Sequence, residues 1–140
     1  MDITTDRKRL FKTLAFLIFI IFIIDFFAQR FYWYLSIWWS DIPMHFLGGF
    51  WIGLAFLLFL SRKNNPLEPD SQFILKNIFG VLLIGVLWEF FELYFVNHIT
   101  QNYFNTLDTV SDIFFDLAGG TFSILYFFKK TIFSNKNKVQ

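Results

Sequence analysis

The stretch FKTLAFLIFIIFIIDFFAQ, residues 11–29, decides the fold class. Between Lys12 and Asp25 it holds nothing more polar than Thr13. Crossing a hydrocarbon core of about 30 Å takes roughly 20 predominantly apolar helical residues, and this window has that length and character. Three further windows do too, at about 42–61, 73–96 and 107–128. Arg62 to Asp70, with Pro66 and Pro69, forms a polar break between the second and third windows. The expected architecture is an all-α membrane protein with four transmembrane helices in an antiparallel bundle. It forms a single integral membrane domain over residues 1–140, with a cytoplasmic loop at 62–72.

Composition excludes the main alternatives. Of 140 residues, 56% are hydrophobic and 16% charged, and 23 are Phe; ordinary soluble domains carry roughly 25% charged residues. So small a domain has too much surface for its volume to hide that many apolar side chains from water, so lipid must cover part of it. A disulfide scaffold and a Cys-ligated metal site are excluded because there is no Cys. A net charge of +1, with the basic residues in flanks rather than in a patch, argues against nucleic acid as a partner.

The basic residues also orient the chain, because cytoplasmic flanks carry the excess of Lys and Arg. Eleven of the twelve lie before or at the very start of the first window, around the 62–72 loop or after the fourth window, leaving Arg30 alone on the other side. Both termini are therefore expected in the cytoplasm. The two outer connections run from Arg30 to Asp41 and from Asn97 to Thr106. Tyr32, Trp33, Tyr34, Trp38 and Trp39 in the first of them suit the headgroup layer as interfacial anchors. The first window is long for a cleaved signal, and no small-x-small site follows it, so it reads as a retained helix.

Four of the eleven acidic residues (Asp2, Asp6, Glu68, Asp70) fall in polar segments. The other seven collect at one depth. Asp25 lies near the outer end of the first span and Asp41 opens the second. Glu89 and Glu92 sit in the outer third of the third span, and Asp108, Asp112 and Asp116 in the outer half of the fourth. A rise of about 1.5 Å per residue brings them level with one another and with His45. Asp41 and His45 are four apart, Glu89 and Glu92 three apart, and the three Asp residues are successive i+4 steps, so each helix aims its polar groups in one direction. An ionised carboxylate facing lipid costs about 2.5 kcal/mol or more at mid-membrane, which turns these groups toward the bundle interior. Crowded carboxylates with only Arg30 nearby call for metal ions, shared protons or a cationic substrate group. Asp25 and Asp108, near helix ends, can equally be solvated, and Asp108 complements a helix N-terminus in any case. His98 reads as a surface residue. All seven glycines fall in the spans, where Gly48-Gly49 and Gly119-Gly120 suit close helix packing beneath the acidic level.

The ordered motifs Asp41-x-x-x-His45-Phe46-x-Gly48-Gly49, Trp88-Glu89-Phe90-x-Glu92 and Asp108-Thr109-x-x-Asp112-x-x-x-Asp116-x-x-Gly119-Gly120 resemble those of the VanZ-like and YjdF-like small bacterial membrane proteins. The resemblance covers about residues 41–120 and implies a multi-pass protein of the bacterial cytoplasmic membrane. VanZ-like proteins are associated with resistance to a glycopeptide antibiotic that acts at the cell surface. Asp116 stands where those families usually carry Asn, which adds a carboxylate and shifts the site toward cation or proton binding.

Three function classes follow. The first is an enzyme acting on a lipid or lipid-linked envelope substrate. Its candidate metal ligands are Asp41, His45, Glu89, Glu92, Asp108, Asp112 and Asp116, and its candidate catalytic residues are His45, Glu89 and Asp112. Oxygen-rich ligands favour a divalent cation such as Mg²⁺, Mn²⁺ or Ca²⁺, and one His among carboxylates also admits Zn²⁺. The second is an ion or proton pathway, against which the inner halves of the spans offer no ionisable groups. The third is a non-catalytic envelope or resistance factor that binds a headgroup or a partner. No phosphate loop, dinucleotide fingerprint or nucleophile motif is present. Enzyme and binding factor stay level on sequence, and oligomeric state is open.

Overall fold

The computed structural model describes residues 3–61, 71–96 and 106–136. Of the expected connections, 62–72 and 97–106, residues 62–70 and 97–105, His98 among them, lie outside the described residues, while Ser71, Gln72 and Thr106 already belong to helices. Among those described there is no strand. The elements are α1 (Ile3–Arg30), the single turn α2 (Trp33–Ser36), α3 (Asp41–Leu60), α4 (Ser71–Phe91), a π-helical turn (Glu92–Val96) continuing α4, and α5 (Thr106–Lys136). Four stretches, Arg7–Arg30, Asp41–Leu60, Ser71–Tyr94 and Thr106–Lys129, are long and apolar enough to cross a membrane.

Local chemistry explains the helix starts. Asp41 and Asp108 stand in the first turns of α3 and α5, where a carboxylate complements the partial positive charge of the free N–H groups. Pro43 falls in the first turn of α3, where its missing N–H costs no hydrogen bond. The chain leaves α1 through Tyr32, a non-glycine residue in the left-handed region at φ 56° and ψ 35°. That conformation costs about 1–2 kcal/mol. It turns α2 back along α1, so the Tyr34 hydroxyl donates to Asp25 Oδ1 at 2.8 Å.

Helix α3 is central, packing on α1, α4 and most extensively on α5, while α4 also packs on α5. The α3–α5 seam is built from glycines. A Cβ on Gly49 would overlap the Asp116 backbone carbonyl, and one on Gly119 would overlap the backbone of Phe46 and Phe50. Gly53 meets the Ser123 side chain and Gly120 in the same way. Without side chains there, the two backbones touch, as small residues permit between membrane helices. Gly48 departs from the expected close packing: nothing lies within 4 Å of where its Cβ would stand. Adjacent helix positions point about 100° apart, so only Gly49 of the pair faces α5.

The apolar core lies at the end of the bundle away from the acids: Leu10, Leu14, Leu54, Leu57, Phe73, Ile124 and Phe127 form one buried cluster. Two polar ties cross it. Trp51 Nε1 donates to the Leu14 carbonyl at 2.9 Å, and Asn77 Nδ2 to the Gly53 carbonyl at 2.8 Å. Phe11, Phe16, Phe19, Phe22 and Phe26 on α1 are exposed, a surface suited to lipid tails rather than water.

Candidate functional site: a histidine among carboxylates

The glycine seam sets the site. Gly49 holds α3 against the backbone of Asp116, and His45 stands one turn before Gly49 on the same face. The ring of His45 is therefore delivered among the acids of α5. Its Nε2 lies 3.6 Å from Asp41 Oδ2 and 3.9 Å from Asp112 Oδ1, and its Nδ1 lies 3.5 Å from Asp116 Oδ2. His45, Asp112, Asp116 and Glu89 are all buried, at 6%, 3%, 5% and 6% exposure. Asp41 is half-buried. Asp116 also rests its carboxylate on α4 at Gly85, where a Cβ would come within 2.7 Å of Oδ2.

Glu89 faces the same space from α4. The Thr109 side chain hydrogen-bonds its carboxylate, while Oε1 is buried without a hydrogen-bond partner. Glu92, partly buried, begins the π-helical turn; such turns are rare and recur at functional sites. Two groups of three have ligand atoms mutually within 4.8 Å: Asp41, His45 and Asp112, and His45, Glu89 and Glu92. Two oxygens on opposite sides of a Ca²⁺-sized ion with bonds of ~2.4 Å stand about 4.8 Å apart, so both groups have the span of a cation's ligand shell.

Of the candidate site residues, Asp41, His45, Glu89, Glu92, Asp112 and Asp116 are thus brought together. Asp108 is exposed and joins neither group of three. Each i+4 step drifts about 40° around a helix, so two steps carry Asp108 well off the direction of Asp116. Thr109, seven residues before Asp116, is within about 20° of it and takes the inward place. Asp25 is bonded elsewhere, accepting from Gln29 Nε2 at 2.7 Å and from Tyr34.

Sequence reasoning passed over two residues here. Thr109 carried a readable signal, because it is three residues before Asp112 and seven before Asp116, on one helix face. Tyr34 carried none, since its place depends on the left-handed turn at Tyr32. Read as an interfacial anchor, it is instead half-buried beside the acids and feels the charges of Asp25, Asp41 and Glu92. Burial first, and then its bond to Asp25, push the Tyr34 phenol above its ordinary range, so it remains a proton donor.

Residues 3–131 match the family described as Predicted membrane protein (DUF2238). The chain belongs to that family. No curated protein and no solved structure matches it significantly. Family membership and the four apolar helices together make this a multi-pass membrane protein with a buried His and carboxylate cluster.

Proposed function

We propose that the cluster around His45 binds a divalent cation, and that the protein uses it on a phosphate- or ester-bearing lipid or lipid-linked substrate of the bacterial envelope. One observation carries the reading. His45 Nε2 stands 3.6 and 3.9 Å from two carboxylate oxygens, too far for hydrogen bonds and within the separation of neighbouring ligands on one ion. On the other side of the ring, Nδ1 faces Asp116. A metal-bound histidine commonly directs its second ring nitrogen at a carboxylate, which fixes the tautomer and orients the ring. In this reading Asp41, His45 and Asp112 hold the ion, Asp116 orients His45, and Glu89 and Glu92 complete the polar wall. A divalent cation in such a site supplies Lewis acidity toward a phosphate or ester oxygen. His45, Glu89 and Asp112 are the residues assigned to the chemistry, and Asp108 is left as a rim residue.

The motif resemblance to VanZ-like and YjdF-like proteins supports a place in the bacterial cytoplasmic membrane. The distribution of Lys and Arg supports an antiparallel arrangement with both termini in the cytoplasm and the His45 end outside. Reporter fusions at Gln140 should read cytoplasm and insertions near Ser36 should read outside; a cytoplasmic signal at Ser36 reverses the side assigned to the site.

A melting series on detergent-solubilised protein tests the cation. An ion at 100 times its Kd stabilises the folded state by about 2.7 kcal/mol, so Mg²⁺, Mn²⁺, Ca²⁺ or Zn²⁺ should raise the melting temperature and a chelator should lower it. Asp112→Asn should remove the response while leaving the fold. If the parent shows no response to any of the four ions, the reading fails and a non-catalytic factor or a proton-sharing cluster takes its place.

A further inference from the structure

The cluster offers more ligands than one ion can use. Asp41, Glu89, Glu92, Asp112 and Asp116 surround His45, and the strongest charged neighbours of Glu92 and Asp112 are carboxylates, His45 excepted. One divalent ion balances two of them. The remainder would repel a phosphate-bearing substrate from the site meant to receive it.

The ligands also divide. The two groups of three share His45 alone. An imidazole nitrogen has a single lone pair and serves a single ion, and Nδ1 faces Asp116, so His45 Nε2 can complete only one group. A carboxylate has two oxygens and can bridge two ions. With His45 committed to Asp41 and Asp112, the other group keeps Glu89 and Glu92 and needs a third ligand. The ligand atoms of both groups lie within 4.8 Å of a His45 ring nitrogen, so a carboxylate of the first group is near enough to the second to supply it, and the second oxygen of Asp41 is assigned to that bridge. An independent feature marks this side of the cluster: Oε1 of the buried Glu89 has no hydrogen-bond partner. A buried carboxylate oxygen left unpaired is costly unless something positive sits against it.

Building on the cation reading above, we propose that the site holds two divalent cations side by side, one on His45, Asp41 and Asp112, the other on Glu89 and Glu92, with Asp41 bridging. Ions about 3.5–4 Å apart form a clamp for two oxygens of one phosphate group. That chemistry selects a phosphate monoester or diester as the substrate class, and two ions balance four of the five carboxylates, which relieves most of the negative excess that would turn such a group away.

The test counts ions on the full chain in detergent, using Mn²⁺ as the probe. Equilibrium dialysis should give two Mn²⁺ per chain, and the electron paramagnetic resonance spectrum should show magnetic coupling between neighbouring ions. Glu92→Gln should lower the count to one and abolish the coupling. One Mn²⁺ per parent chain, with the spectrum of an isolated ion, overturns the second site and leaves the single-cation reading standing. No bound Mn²⁺ overturns both, and a Glu92→Gln variant that keeps two coupled ions overturns the assignment of Glu92.

Discussion

The two ends of this bundle use the same helices to opposite purposes. At one end Leu10, Leu14, Leu54, Leu57, Phe73, Ile124 and Phe127 close on one another with no charge among them. At the other, His45, Glu89, Asp112 and Asp116 are buried to a similar degree among carboxylates. The apolar end gains from every contact it makes. The polar end spends that gain, since each buried carboxylate gives up its hydration and meets others of its own sign. Buried acids kept at such a cost are more readily explained by what they bind than by what they stabilise. The glycine seam joins the ends, and without its close approach neither set of side chains would meet.

The seam is therefore where the contrast breaks most sharply. Gly49→Val should abolish folding altogether, because even a single Cβ there runs into the backbone of Asp116, and backbone in a close-packed interface cannot step aside as a flexible side chain would. Gly48→Ala is the control one residue away. Nothing stands within 4 Å of its added methyl, and alanine favours helix over glycine by up to about 1 kcal/mol, so that variant should melt at or slightly above the parent. Equal loss in both variants would mean that helix geometry rather than seam contact is at fault.

The next effect separates the two ends directly. Leu57 is fully buried, and Leu57→Ala leaves a cavity that should cost about 2–5 kcal/mol, read as a large fall in melting temperature with or without divalent ions. Asp112→Asn keeps the shape of a residue that is just as deeply buried and removes its charge. Without divalent ions it should melt within about 1 kcal/mol of the parent or above it, because a repelling neighbour of Asp41 and Glu89 is gone. The two variants should then exchange character on adding Mn²⁺: Leu57→Ala should keep the parent's full response, and Asp112→Asn should lose the part that belongs to the ion on His45, Asp41 and Asp112. A Leu57→Ala protein that loses the response would show the ends to be one cooperative unit.

How far each end could be read in the sequence follows from the same division. That the chain is all-α with four membrane-spanning helices was legible, since it needs only the length of the apolar windows and the helical rise. Asp41 and His45 could be placed together because i, i+4 spacing is a local property of one helix. Asp108 was misleading for an equally local reason, the drift that accumulates over two i+4 steps and brings Thr109 inward instead. The difference between Gly48 and Gly49 was not legible, because which of two adjacent residues faces a neighbouring helix depends on how the helices cross. Tyr34 lay furthest out of reach, placed by one residue, Tyr32, in a conformation its type seldom adopts.

Tyr34 gives the finest test of where the polar end stops. Its hydroxyl donates to Asp25 Oδ1 at 2.8 Å, and its charged surroundings include Asp41 and Glu92. It therefore stands between an acid that belongs to α1 and the acids around His45. Tyr34→Phe keeps the ring and removes the bond, which should cost about 0.5–1.5 kcal/mol, the net worth of an ordinary hydrogen bond. If Tyr34 is only a brace between α2 and α1, melting should fall by that amount and the shift produced by Mn²⁺ should stay as in the parent. If the phenol also borders the ion site, freeing Asp25 places an additional unpaired carboxylate beside Asp41, and Mn²⁺ should then bind more tightly in Tyr34→Phe than in the parent. The geometry favours the brace, because Asp25 is already held from its own helix by Gln29 at 2.7 Å and is not released when the phenol is lost. A Mn²⁺ shift larger than the parent's would move the boundary of the site outward to include α2.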